Sequence, residues 1–500
     1  MAGHSSSTPA SSSTDDTTIA SRGKLAVRDA EQSTQGLRKQ ARNNGTGMGK
    51  RRLYLIALGT VFIAHAGAAQ EAPGRVAPTG LLSDLGQELD DMGIRFRSQI
   101  VDEYANNPAG GVRQGGSNVG QFQAGASFDL DKIFGLPDAN FHMTFVRDYG
   151  SGLAHNDTGT FIKQQEIYKN QFPKLRLGVF AYEQRLFDDR VDIFLGRLGS
   201  TTFYGRLANT CYFESGISCS VPQVLNSSAG FTFPTSATWA GNIKYKPIPG
   251  VYVEAGAFED DSFIQHTNGF DFSTANATGV TTLSEIGVGD FDLETTALPG
   301  DFKIGGYATT APFNDPLFNT KGQPQVLKGG KPLSSPDLRS GAYIMGEQAI
   351  WRPDPTTNES ASVFAGWIQP AESEEVMVHQ IYLGGVWRAP IEARPHDLIA
   401  VTGSYFRLSP REIEFLHDAR VKAGGEGTNN ANEYAFEMDY NALVMPSVRL
   451  SPNVQYIINP DNSGIPNTRV LPQNAVVLGV KLTINIGGLL GLPLAPNLSD

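Results

Sequence analysis

The chain has 500 residues, 40% of them hydrophobic and 10% aromatic, with 55 glycines and a formal net charge of -11 at pH 7. The acidic balance argues against a nucleic-acid partner, and a glycine-rich, moderately apolar composition arranged in short alternating segments points to an all-β class rather than a helical or disordered one. No apolar run of about 18 residues occurs, so a transmembrane helix is excluded, whereas a barrel strand, which crosses a bilayer in about 9–11 residues, is not.

Lys50-Arg51-Arg52, the apolar stretch Leu53 to Ala64 and the small residues up to Ala69 read as a secretory signal. Ala66/Ala68 and Gly67/Ala69 are cleavage pairs that place the mature start near Ala69 or Gln70. Residues 1–47 are Ser/Thr-rich without an apolar run, and Met48 would open an ordinary signal. The expected division is therefore a non-structural extension (1–47, an over-long reading frame), a signal peptide (48–69), an N-terminal periplasmic segment with a short helix (70–93), a barrel (94–486) and a C-terminal tail (487–500). Within 70–93, Leu81, Leu82, Leu85, Leu89 and Met92 fall at helical spacing.

From residue 94 onward the hydrophobic period becomes two, so successive side chains point to opposite faces. Residues 94–104 set Ile94, Phe96 and Ile100 against Arg95, Arg97, Gln99 and Glu103. Residues 120–130 and 139–148 follow, the latter opposing Phe141, Met143 and Phe145 to Asn140, His142 and Thr144. In 174–186 and 190–199, Glu183 and Arg197 stand on otherwise apolar faces and leave the orientation open. A tight hairpin, 237–246 and 250–259, sets Trp239, Ile243, Tyr245, Val251 and Val253 against Asn242, Lys244, Tyr252 and Glu254. Strands are then expected at 281–292, 301–311, 341–351, 361–369, 379–389 and 396–408. The clearest hairpin is 432–443 with 447–458, where Tyr434, Phe436, Met438, Leu450, Val454 and Tyr456 oppose Glu433, Glu437, Asp439, Arg449, Asn453 and Gln455. The last strand, 475–486, opposes Val476 to Ile486 on one face to Gly479, Lys481, Thr483 and Asn485 on the other, which brings the count to sixteen.

Short links (131–138, 187–189, 247–249, 293–300, 352–360, 390–395, 444–446) alternate with mostly long polar ones (105–119, 149–173, 200–236, 260–280, 312–340, 370–378, 409–431, 459–474). An even strand number with alternating short and long links is what a membrane barrel requires, with tight turns inside and longer loops outside. Trp239, Trp351, Trp367 and Trp387 all fall within a few residues of a strand end, where interfacial girdles place them. Cys211 and Cys219, eight apart and the only cysteines, are expected to close a small disulfide loop in an exported protein; two cysteines alone make a poor metal site.

The segments LGGVWRAPIEARPHDLIAVTGSYFRLS (383–409), DEYANNPAGG (102–111), FDLDKIFGLPDANFH (128–142), EQRLFDDRVDIFLGRL (183–198) and LPGDFKIGGY (298–307) resemble, in order, the carbohydrate-selective outer-membrane porins of the glucose-porin or OprB family. The resemblance covers essentially the whole mature chain. It implies a sixteen-stranded antiparallel transmembrane β-barrel, one or two long loops folded inward, passive uptake of small carbohydrates, an outer-membrane lipid surround and insertion by the barrel-assembly machinery. Whether the barrels associate stays open. Two departures stand out: GGLLGLPLAPNLSD follows the last strand, which lacks a closing aromatic, and the central loops are peculiar to this sequence.

Alternation nominates Arg95, Arg97, Gln99, Glu103, Asn140, His142, Lys244, Tyr252, Glu254, Glu437, Asp439, Arg449 and Gln455 as lumen-facing. Most would simply solvate the wall, since few polar groups usually fix a ligand. The selective constriction is expected at the Arg95/Arg97/Glu103 strand with the inward-folded 149–173 and 200–236 loops, including Arg206. No G-x-S-x-G, H-E-x-x-H or Walker loop is present, and no cofactor is expected. An outer-membrane lipase-like barrel and a secreted soluble carbohydrate-binding β-protein are the alternatives to a sugar channel. N-terminal sequencing of the exported protein should begin at Ala69 or Gln70, and peptides from residues 1–47 in the precursor would refute the Met48 start.

Overall fold

Two-residue periodicity becomes a closed wall. The computed structural model describes residues 80–498 apart from 168–174, 218, 220, 294–296, 336 and 373; the expected extension 1–47 and signal 48–69 lie outside the described residues. The strands are β1 (Ile94–Gly111), β2 (Gly115–Asp129), β3 (Ala139–Gly150), β4 (Arg176–Leu186), β5 (Val191–Leu198) and β6 (Thr238–Ile248). Next come β7 (Val251–Asp261), β8 (Ala277–Asp290), β9 (Gly300–Thr309), β10 (Phe313–Asn319), β11 (Pro332–Ser335) and β12 (Arg339–Trp351). The series ends with β13 (Ser360–Pro370), β14 (Met377–Arg388), β15 (Leu398–Leu408), β16 (Asn432–Met445), β17 (Val448–Ile458) and β18 (Gln473–Asn485). The helices are α1 (Ser83–Asp91), α2 (Leu130–Phe134), α3 (Gln223–Ser228), α4 (Gln325–Lys328), α5 (Pro410–Lys422) and α6 (Ile486–Leu490). None is long and apolar enough to cross a membrane.

Sixteen strands form one closed antiparallel barrel in which β1 pairs with β18, while β10 and β11 make a separate hairpin between β9 and β12. Each strand expected from the sequence is one barrel strand. The extra hairpin and α5 lie in loops that carry no two-residue period. Ser409 starts α5 by accepting the Glu412 N–H at 3.0 Å, with Pro410 supplying a pre-set first turn. The first link is not long: β1 and β2 keep pairing to Asn107↔Gly115, so most of 105–119 is strand. Its Asn and Gly residues carry too little apolar surface to show a period, yet their backbones still pair.

Exposure is inverted relative to a water-soluble protein. Leu383 is 64% exposed, Leu195 55% and Ile304 54%, whereas Glu285 and Glu347 are 1% and Glu437 3%. The apolar residues face lipid and the charged ones face inward, as a barrel with a polar interior demands. This settles the two open strands. Glu183 points inward to His142 Nε2 at 2.9 Å, whereas Arg197 shares the outward face of Leu195 and pairs with Phe180 and Trp239; it is buried there under a loop, against the Phe272 ring, donating to the Asp271 and Ala237 carbonyls at 2.7 and 3.0 Å. Trp351 and Trp387 sit at the short-turn end, and Trp239 and Trp367 at the long-loop end. At the β14–β15 turn, Arg394 makes a two-point pair with Asp397 (2.7 and 3.0 Å) and donates to the Leu443 carbonyl at 3.1 Å, tying that turn to the end of β16.

Leu383→Arg, in the middle of the lipid face of β14, should destabilise the folded barrel in bilayers by about 2–4 kcal/mol. Reversible denaturant unfolding measures this, and a neutral result would contradict the outward assignment.

Candidate functional site

Two loops leave the long-loop end and turn into the lumen: L2 (151–175, between β3 and β4) and L3 (199–237, between β5 and β6). L3 is apolar enough to form its own core. Phe203, Tyr204, Leu207, Phe213, Val224 and Leu225 are all buried and join wall residues such as Phe364 and Tyr382 in one cluster. An irregular segment at membrane depth must find partners for its backbone N–H groups. Wall carboxylates supply them. Glu285 Oε2 accepts the Gly205 N–H (3.2 Å), Glu347 accepts those of Ala208 and Asn209 (2.6 and 2.9 Å), and Glu437 accepts those of Glu214 (2.8 Å) and Ser215 (3.1 Å). Gln380 holds both the Val224 N–H (3.0 Å) and the Ile217 carbonyl (2.8 Å). L3 therefore starts beside β5 and is pinned on β8, β12, β14, β16 and β18, spanning the lumen.

L2 docks on the opposite side of the same hub. Lys481 Nζ on β18 lies 3.0 Å from Glu166 of L2, 3.7 Å from Glu103 of β1 and 2.8 Å from the Phe213 carbonyl of L3. Glu103 also accepts the Ile167 N–H at 3.2 Å, its own carbonyl accepts Gln165 Nε2 at 2.8 Å, and Gln455 Nε2 donates to the Gln164 carbonyl at 2.8 Å. On the long-loop side, L2 meets L8 (459–472): Asp461 accepts the Phe161 N–H at 2.8 and 3.0 Å. A cavity of about 270 Å³ opens between them, lined by His155, Phe161, Lys163, Gln165 and Ser463 among others. Burial pulls the Lys163 amine down to about 7. Burial likewise pushes the Glu412 carboxyl of α5 up to about 7, against the hydrogen bond it accepts from Ser463 Oγ at 2.7 Å.

The nominated residues fall in different parts of the lumen. Glu103, Glu437 and Gln455 hold loops, and buried Asp439 lies beneath L3. Arg95 pairs with Asp90 of α1 at 2.7 Å on the short-turn rim, and Arg97 donates to the Pro496 carbonyl of the tail. His142 is buried between Ser127 (2.8 Å) and Glu183 (2.9 Å), with Asn140 half-buried on the same strand; Tyr252 donates to Glu285 at 2.6 Å, Glu254 accepts Asn242 Nδ2 at 2.8 Å, and Lys244 lies 5.0 Å over the Tyr252 ring. Gln99 is half-buried opposite Asn485 and Gln123. Arg206 sits on L3, its Nη1 on the Thr202 carbonyl at 3.1 Å. Arg449 and Arg388 flank Tyr212 of L3 at 6.0 and 5.4 Å from the ring centre.

The expected disulfide is not formed: Cys211 and Cys219 are free thiols, brought into hydrogen-bonding contact by L3. Cys219 instead bonds Glu166 and lies 3.9 Å from Lys481, so it serves the polar hub. Sequence reasoning missed Lys481, Glu347, Glu285, Arg388 and Tyr212. Among the described residues no group of three or more side chains suited to a metal ion occurs.

A closed sixteen-stranded barrel with an apolar outer wall and loops packed into a polar lumen defines an outer-membrane porin. Residues 113–486 match the family described as carbohydrate-selective porin, OprB family, and the chain belongs to it. Porin B of Pseudomonas aeruginosa is 27% identical over 450 residues, which cover 86% of this chain and 96% of that protein. The high-pH structure of Pseudomonas putida OprB superposes with a TM-score of 0.71 at 25% identity, covering 82% of this chain and 99% of that one. The protein is a sugar channel of the Gram-negative outer membrane, not an enzyme.

Lys481→Met leaves Glu166 and Glu103 facing one another without their cation. It should cost about 3–5 kcal/mol and loosen both loops, read as a lower unfolding midpoint and faster proteolysis within L3. Wild-type values in both assays would remove Lys481 as the organising group.

Proposed function

We propose that L2 and L3 form the selective constriction through which glucose-like mono- or oligosaccharides diffuse passively into the periplasm. The observation that carries this reading is the span of L3 across the lumen, pinned by Glu285, Glu347, Gln380 and Glu437. Arg206, Arg388, Arg449 and Tyr212 offer what a sugar needs: fixed donors for hydroxyl groups and a flat ring face. The guanidiniums are already positioned, Arg388 by Asn209 Oδ1 at 2.6 Å and Ser362 Oγ at 3.1 Å. Such contacts must stay weak, because a solute held tightly cannot leave. Of the nominated residues, Arg449 on the wall and Arg206 on L3 are candidates for solute contact, while Glu103, Glu437 and Gln455 act by holding the loops. Insertion by the barrel-assembly machinery fits a chain that closes β1 on β18.

Reconstituted in planar bilayers, the protein should conduct, and sugars should reduce the current in a concentration-dependent way. Arg388→Ala and Arg449→Ala should weaken that block with little change in open conductance. Conductance indifferent to every sugar would overturn the constriction assigned here, and absence of conductance would overturn the channel reading with it.

A further inference from the structure

Strand β18 leaves β1 at the Gln99↔Asn485 pair, so residues 94–98 of β1, paired with β2 on one side, have no strand on the other. Another segment covers this edge. Asn485 caps the short helix α6 by accepting the Gly488 N–H at 3.0 Å, and Gly491, in the left-handed region at φ 80°, reverses the chain. There the tail meets the N-terminal helix. The Leu82 N–H donates to the Leu490 carbonyl at 2.8 Å, and a side chain at Gly86 would meet the Gly491 carbonyl oxygen at 2.3 Å, so only glycine permits the approach.

Residues 493–495 then run parallel to β1 and back toward the lumen. The Phe96 N–H donates to the Pro493 carbonyl at 2.7 Å and the Ala495 N–H to the Phe96 carbonyl at 2.8 Å, the pattern of a parallel pair. Leu492 and Ala495 are 7% and 4% exposed. Arg97 shares the inward parity of Glu103, and it donates to the Pro496 carbonyl, which places that peptide on the lumen side of the wall. Leu498 packs against the same apolar cluster to which L3 contributes Phe213 and Ile217. The tail therefore does more than cover an edge: it turns from the short-turn rim onto the inner face of the wall and its buried apolar cluster. The tail itself lies beyond residue 486, where the match to the porin family stops.

We infer that the C-terminal tail, held by Phe96 and Arg97, is a second size filter at the periplasmic mouth, in series with L3. Two narrowings in series each add resistance, and the narrower one sets the largest solute that passes. The tail's peptide groups and Leu498 would thus limit the exit of larger oligosaccharides, whichever residues at L3 contact the sugar.

Two variants test this in opposite directions. Truncation after Gly491 keeps α6 and its contact with Leu82 but removes the strap. It should raise single-channel conductance severalfold and let larger oligosaccharides swell liposomes, with sugar block at L3 retained. Leu498→Trp enlarges the tail side chain packed on the inner apolar cluster and should lower conductance and the size limit. If the truncated chain fails to insert, Leu498→Trp decides alone. Wild-type conductance and exclusion limit in the variants that insert would overturn the filter while leaving the L3 constriction intact; loss of sugar block in the truncated channel would instead count against L3 as an independent site.

Discussion

One buried ammonium organises the lumen. Lys481 stands where β18, β1, L2 and L3 converge, with Glu166 at 3.0 Å, Glu103 at 3.7 Å and the Phe213 carbonyl at 2.8 Å. Bringing a lysine out of water costs several kcal/mol unless opposite charge and acceptors surround it. Here each partner comes from a different element, so the cost is offset only when all are in place. That makes the ion cluster a specificity device: one arrangement of both loops satisfies it, and a loop lying elsewhere leaves a charge without company.

The remaining pins follow from a second constraint. L3 has little regular structure, so its N–H groups cannot be satisfied within the loop. Glu285, Glu347 and Glu437, each 3% exposed or less, accept from them. A carboxylate is suited to this task because it accepts several hydrogen bonds at once and strengthens each by its charge. Acidic residues on the inner wall therefore serve mainly to hold the loop.

This division explains what the sequence could and could not tell. The wall was legible because alternation has one physical cause, a strand with lipid on one side. Period two assigns a face but says nothing about what stands opposite that face. Glu437 and Arg449 look equivalent in a list of inward residues, yet one lies beneath L3 and the other flanks Tyr212. Lys481 read as ordinary wall for the same reason. Spacing in the sequence likewise could not show that Cys219 meets Glu166 and Lys481, both far away along the chain. Helix α5 and the β10–β11 hairpin lay in stretches whose polarity hid short elements.

The ends of the barrel obey the same need to satisfy backbone groups. A barrel whose strands are staggered leaves part of an edge strand unpaired where its neighbour departs, and exposed N–H and C=O groups there are a liability. In this chain the liability falls at Phe96, and the tail removes it with two backbone hydrogen bonds. The segment that does so is rich in Leu and Pro: Leu492, Leu494 and Leu498 give it apolar surface to bury, and Pro493 and Pro496 lower the entropy lost on docking while leaving their carbonyls free to accept. Covering the edge on the side of Arg97 rather than from the lipid brings the end of the tail onto the inner face of the wall. A requirement of the wall, that β1 not end in open hydrogen-bonding groups, is thus what turns the chain's last residues inward.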